Sequence, residues 1–122
     1  MFQFLRGIAL IASALISITS ANAEMAEMGL GVSSCAEFAK RYQADPTSFE
    51  LYYFTWAQGF MSGLNSMSLP EHGTSRDLES MPTENQQQQL RDYCNEHPLA
   101  PYDQGVMHLY FQLPFSKPVI KK

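Results

Sequence analysis

The chain has 122 residues and sets eight Lys/Arg against twelve Asp/Glu, for a formal net charge of −4. That balance argues against nucleic acid and anionic membrane surfaces as partners, which are bound through a basic excess. The length suits one domain.

Met1 to Arg6 carries one positive charge, Gly7 to Ile18 is mostly apolar, and Ala21 and Ala23 stand at the two small-residue positions that a signal peptidase reads. Residues 1–23 therefore read as a secretory leader. The apolar run falls short of the roughly 20 residues that span a bilayer. No twin-arginine pair and no lipid-accepting cysteine accompanies it. The expected product is exported, periplasmic or otherwise outside the cytosol, and soluble after cleavage. Losing residues 1–23, and Arg6 with them, leaves 99 residues and a net charge of about −5. A domain of that size has a marginal core without a covalent aid.

Residues 24–33 form an N-terminal arm ahead of a helical domain expected over 34–114. In "SCAEF", Ser34 and Glu37 have the spacing of a capping box, and Cys35, Phe38 and Tyr42 share one face of a first helix. Asp45-Pro46 is a second start signal, an aspartate cap followed by proline at the first helical position. Behind it Phe49, Tyr52, Tyr53, Trp56, Phe60 and Leu64 make an apolar stripe expected to carry the core. Gly59 and Gly63 lie four residues apart beside Trp56 and Phe60. A glycine within a helix costs about 1 kcal/mol relative to alanine, so the pair predicts a close approach of another backbone.

Pro70, Gly73 and a Ser/Thr/Asp cluster make 67–81 a loop. Ser80 to Thr83 starts a third helix, with Leu90, Tyr93 and Cys94 on its buried side and Gln86 to Gln89 on a solvated face. It should end near Glu96, because Pro98 biases His97 out of the helical region. A fourth helix is expected from about Pro101 to before Pro114. Tyr102, Val106, Leu109 and Leu113 form one face, while Met107 and Phe111 are apolar on nearly the opposite one. The second face is a candidate partner surface, for a homodimer or another protein, unless it packs under the arm around Met25 and Met28. Residues 115–122, with Lys117, Lys121 and Lys122, read as a solvated tail.

The two cysteines, Cys35 and Cys94, can form one intramolecular bridge in an oxidising compartment. Closing a loop of about 60 residues stabilises by roughly 4 kcal/mol in the chain-entropy model. A nucleophilic Cys94 lacks an evident activating base, and zinc on Cys94 and His97 lacks further ligands at metal spacing, so a staple is the expectation. His72, His97 and His108 fall into no triad or metal motif. Met25 and Met28 with Met61, Met67, Met81 and Met107 could suggest soft copper ligands, but the last four are spread through the expected helices and loop, where methionine is ordinary filler. The reading is an all-α, small four-helix domain with one disulfide, no cofactor or metal, and a binding rather than catalytic function.

"SCAEF" opening a first helix, a tryptophan-bearing second helix and "YCNEHP" closing a third resemble the HdeA/HdeB group of small periplasmic proteins, over roughly Ser33 to Leu113. The resemblance implies an acid-stress chaperone, with Cys35 and Cys94 as its interhelical disulfide. "GFMSG" at Gly59 to Gly63, a glutamine-rich third helix, a His-Pro step and an apolar fourth helix are similar to periplasmic immunity proteins against type VI-secreted amidases. That group carries further cysteines that this chain lacks, so it ranks second and implies a single secreted effector as partner. Charge leads to acid independently of resemblance. Protonating twelve carboxylates moves the processed chain from about −5 to about +10. Self-repulsion of that size is expected to loosen the helices.

Overall fold

The computed structural model describes residues 26–118. The leader expected over 1–23, Met25, Lys121 and Lys122 lie outside the described residues. Within them the chain is all-α, with a short 3-10 turn at Leu30–Val32 followed by α1 (Cys35–Ala44), α2 (Pro46–His72), α3 (Thr83–Glu96) and α4 (Tyr102–Gln112). No strand forms among the described residues, only isolated bridges between Ser34 and Pro101 and between Arg76 and Phe115.

The start of α1 uses half of the expected capping box. The Ser34 hydroxyl accepts from the Glu37 N–H at 3.1 Å. The Glu37 carboxylate turns instead to Arg41, one helical turn on, at 2.7 Å. At α2 the Asp45 carboxylate accepts the Ser48 N–H at 3.1 Å and Pro46 occupies the first turn, as the sequence indicates.

The loop expected over 67–81 begins too early. Helix α2 runs on to His72 with Pro70 inside it, and Gly73 ends it at φ 69°, donating its N–H to the Leu69 carbonyl at 2.9 Å. Pro70 has no N–H to donate back along the helix, so one ladder hydrogen bond is lost in the final turn, close to where the helix ends in any case. The left-handed glycine cap sets the end.

Three rings from three helices meet at the centre. Phe38 of α1, Tyr53 of α2 and Tyr102 of α4 have centroids 5.0, 5.1 and 4.9 Å apart. The buried face of α2 is Tyr53, Phe54, Ala57 and Met61. This corrects the expected stripe: Tyr52 is 57% exposed, and Phe49, Trp56, Phe60 and Leu64 lie along one margin of the core. Phe54, Ala57 and Met61 repeat at helical spacing too, and it is their side that faces α1 and α4.

On α3, Leu90 and Cys94 are buried, and so is Gln86, which was expected on a solvated face. Its side-chain amide donates to the Leu78 and Met81 carbonyls, each at 2.8 Å, pinning the loop that precedes the helix. The expected inner face of α4 is buried throughout, at Tyr102, Val106, Leu109 and Leu113.

The described part of the arm is bound into this frame. Ser33 accepts the Tyr102 N–H at 2.8 Å, and its hydroxyl lies 3.0 Å from the Tyr53 hydroxyl. The start of the tail is tied as well, with the Ser116 N–H on the Ser75 carbonyl and the Asp77 N–H on that of Pro114, both at 2.8 Å.

Candidate functional site

Cys35 opens α1 and Cys94 lies in the last turn of α3, both buried and joined in a disulfide with Cα atoms 4.7 Å apart. Neither sulfur is left as a thiol to attack a substrate or hold a metal. His97, three residues after Cys94, stacks on Tyr93 at 4.4 Å. Its Nδ1 lies 3.0 Å from the Tyr93 carbonyl. His108 rests against the same ring at 5.4 Å, and His72 stands on the surface beside Glu71. Among the described residues no three His, Cys, Asp or Glu side chains gather as metal ligands.

Trp56 and Phe60 stack at 5.0 Å with their planes 17° apart. They floor an open groove of about 370 Å³ whose rim includes Glu27, Met28, Thr55 and Gly59. The arm crosses this floor. The Trp56 indole N–H donates to the Met28 carbonyl at 3.3 Å, and Gly31 lies flat against the ring, where a Cβ would collide with it.

The expected role of Gly59 and Gly63 is corrected here. A Cβ at either would meet nothing within 4 Å, so neither brings a second backbone close among the described residues. The glycines that are closely approached are Gly31 and Gly105, each by an aromatic side chain. A Cβ on Gly105 would stand 2.8 Å from the Tyr93 ring, so α3 and α4 approach closely there.

Met107 and Phe111 differ in exposure. Met107 is half-buried, while Phe111 is 58% exposed and borders a cleft of about 250 Å³ with Leu64, Met67 and His72, in which Met107 takes no part. The described part of the arm lies on Trp56 and Met28 is 86% exposed, while Met25 falls outside the described residues. Arg76 closes the same end of the molecule. Its guanidinium donates to the Leu113 carbonyl at 2.8 Å and lies 4.0 Å over the Phe115 ring.

Two carboxylate arrangements were not foreseen from the sequence. Glu50 of α2 pairs with Arg91 of α3, both about one-fifth exposed, with Arg91 also stacked near Tyr42. Glu27 of the arm is pushed above its ordinary value of 4.5, by burial first and then by the charge of Asp103 in the first turn of α4. The partners are 41 and 76 positions apart, so no spacing rule could have paired them.

Fold and sites define a small all-helical domain with one buried disulfide and open apolar grooves. No helix among the described residues is long and apolar enough to cross a membrane. No protein-family model matches the chain, and no curated protein or solved structure matches it.

Proposed function

We propose that this chain is an exported, non-catalytic protein-binding module that works as an acid-responsive holdase of the HdeA/HdeB kind. One observation carries the reading: the covalent tie and the ionic tie run to different helices. The disulfide joins α1 to α3, whereas α2, which supplies Tyr53, Phe54, Ala57 and Met61 to the core, is linked to α3 by the Glu50–Arg91 pair. At about pH 2–3 carboxylates as a class are neutral, while Lys, Arg and His are positive. The pair is lost, self-repulsion sets in, and α2 swings out with its apolar face. The staple keeps α1 and α3 together, so the opened chain stays compact and can reclose. A disulfide belongs to an oxidising compartment, which supports periplasmic export.

The test is acid exposure of the purified protein with dye binding, near-UV dichroism and suppression of a client's aggregation at about pH 2–3, followed by return to pH 7. Lost near-UV signal, dye uptake and suppression, all reversible, are expected. Unchanged dichroism without suppression rejects the holdase. The open cleft beneath Phe111 favours the second reading, an immunity-like inhibitor that binds one secreted effector in its folded state. A neutral-pH homodimer would cover the same cleft, and sedimentation of wild type against Phe111→Asp tests it. Both being monomeric at micromolar concentration ends that idea.

A further inference from the structure

We propose that the cavity between α2 and the start of α3 binds an uncharged peptide unit with an aliphatic side chain, presented by a partner protein. The cavity measures about 450 Å³, an ordinary size for a ligand site. Met61 and Ser62 of α2 form one wall, and Leu78 and Met81 of the loop with Thr83 and Gln86 of α3 form the other. Among the described residues no Lys, Arg or His lines it.

Both kinds of hydrogen-bonding group stand unused there. Gln86 is only 4% exposed, and its Nε2 spends both protons on the Leu78 and Met81 carbonyls. Those two bonds fix the amide. Its Oε1 accepts nothing from the described residues, and Gln86 lines the cavity. A largely buried acceptor of this kind gains from an N–H that a ligand brings. The start of α3 supplies the opposite need, because it has no side-chain cap. The Asn85 and Gln86 N–H groups both turn to the Pro82 carbonyl, whereas those of Thr83 and Glu84 have no acceptor among the described residues.

Backbone N–H donors and an amide acceptor match the carbonyl and N–H of a peptide unit, and Met61, Leu78 and Met81 suit an aliphatic side chain. Helix starts also attract anions. Here Glu79 on the cavity wall and Glu84 in the first turn of α3 already hold that end negative, which disfavours a carboxylate. An ammonium group would face the N–H groups and the positive end of the helix dipole. The occupant that suits all of these is neutral. The inference rests on the reading of the chain as a protein-binding module, but it needs the closed domain, since α2 is one wall of the cavity.

The probe is N-acetyl-leucinamide, titrated at neutral pH into isotope-labelled protein while the amide resonances are followed. Saturable shifts at Thr83, Glu84 and the Gln86 side-chain amide are expected, with a dissociation constant of about 1–10 mM, ordinary for so small a ligand. N-acetyl-leucine, which ends in a carboxylate instead, is expected to bind about fivefold more weakly. Thr83→Pro deletes one open donor at a position where proline suits a helix start, and Pro82 before it is already extended at ψ 144°. It is expected to weaken N-acetyl-leucinamide about fivefold with the far-UV helix signal unchanged. No saturable shift at those concentrations, shifts centred elsewhere, N-acetyl-leucine binding as well as the amide, or Thr83→Pro matching the wild type would each overturn the proposal. None of these outcomes bears on client protection in acid, so this site and the holdase reading fail separately.

Discussion

Asn65 of α2 grips the backbone of Arg76 with both ends of its amide, donating to the carbonyl and accepting from the N–H, each at 2.8 Å. The same Oδ1 accepts the Tyr110 hydroxyl at 2.9 Å, so one side chain joins α2, the 73–82 loop and α4. Asn65→Ala leaves three polar groups without these partners. A net loss of about 2 kcal/mol is expected, at about 1 kcal/mol per bond offset by rehydration of the freed groups. Urea denaturation gives the magnitude, and faster exchange of the Arg76 amide than of the α1 amides locates it.

The glycines divide into two kinds with opposite expected responses. Gly59→Ala adds a methyl group in open space within a helix and should stabilise by about 0.5–1 kcal/mol. Gly31→Ala drives a methyl group into the Trp56 ring and should destabilise by about 1–3 kcal/mol as the arm is displaced. Thermal melts of the two variants settle both, and a destabilised Gly59→Ala would mean that another backbone does pack there.

What could be read from the sequence was local, and what could not depended on distant partners. Ser34 and Asp45-Pro46 announce helix starts because each cap bonds a backbone group three residues away, within a single turn. The ends of α3 and α4 follow from Pro98 and Pro114 in the same way. Cys35 and Cys94 are legible because two cysteines have one way to pair. Gln86 looks like its three glutamine neighbours, and only the Leu78 and Met81 carbonyls arriving from the loop make it a core residue. The face of α2 was misplaced because two overlapping apolar rows fit one helix, and the choice between them belongs to α1 and α4. Glycine shows a permissive backbone without showing what approaches it, so Gly59 and Gly31 look alike until Trp56 is placed.

Reducing the disulfide should matter more at equilibrium than in the appearance of the fold. The bridge closes a separation of 59 residues, which in the chain-entropy model is worth roughly 4 kcal/mol. A Cys35→Ser/Cys94→Ser double variant should lose about that much stability and also leave two buried hydroxyls. Reduced wild type, which keeps the sulfurs, is therefore the cleaner comparison. A lower urea midpoint with a steeper slope is the expected result, because the unlinked denatured chain is less compact and exposes more surface.

The helix starts titrate in the direction opposite to the arm. Hydrogen bonds from Ser48, side chain first and backbone second, hold Asp45 below its ordinary value of 3.8, and the hydrogen bond from Arg41 does the same for Glu37 relative to 4.5. A carboxylate with a depressed folded pKa contributes stability that is present above its ordinary value and lost as pH falls through the folded one. Asp45→Asn keeps a good N-cap without the charge. Its melting temperature should therefore fall less steeply than that of the wild type below about pH 4, with little difference near neutrality. Parallel profiles would show that the Asp45 charge does not contribute to the acid response.

In the proposed acid opening the link between α2 and α3 is the Glu50–Arg91 pair, and Glu50→Gln removes its negative charge at pH 7. The pair with Arg91 is neither fully buried nor freely solvated, each side chain being about one-fifth exposed, so its loss falls between the surface and interior cases. About 1–2 kcal/mol is expected, since Arg91 keeps a hydrogen bond to Gln88 and its stack near Tyr42. Glu37→Gln is the matched control, because it removes an exposed pair within α1 that ties no two helices together. If α2 is released when the Glu50–Arg91 link fails, Glu50→Gln should raise the pH at which dye binding and loss of near-UV dichroism begin. It should also bring client protection to milder acid, while Glu37→Gln leaves that midpoint close to the wild type. Equal shifts in the two variants would mean that general charge repulsion opens the domain, and that the tie between α2 and α3 has no special part in it.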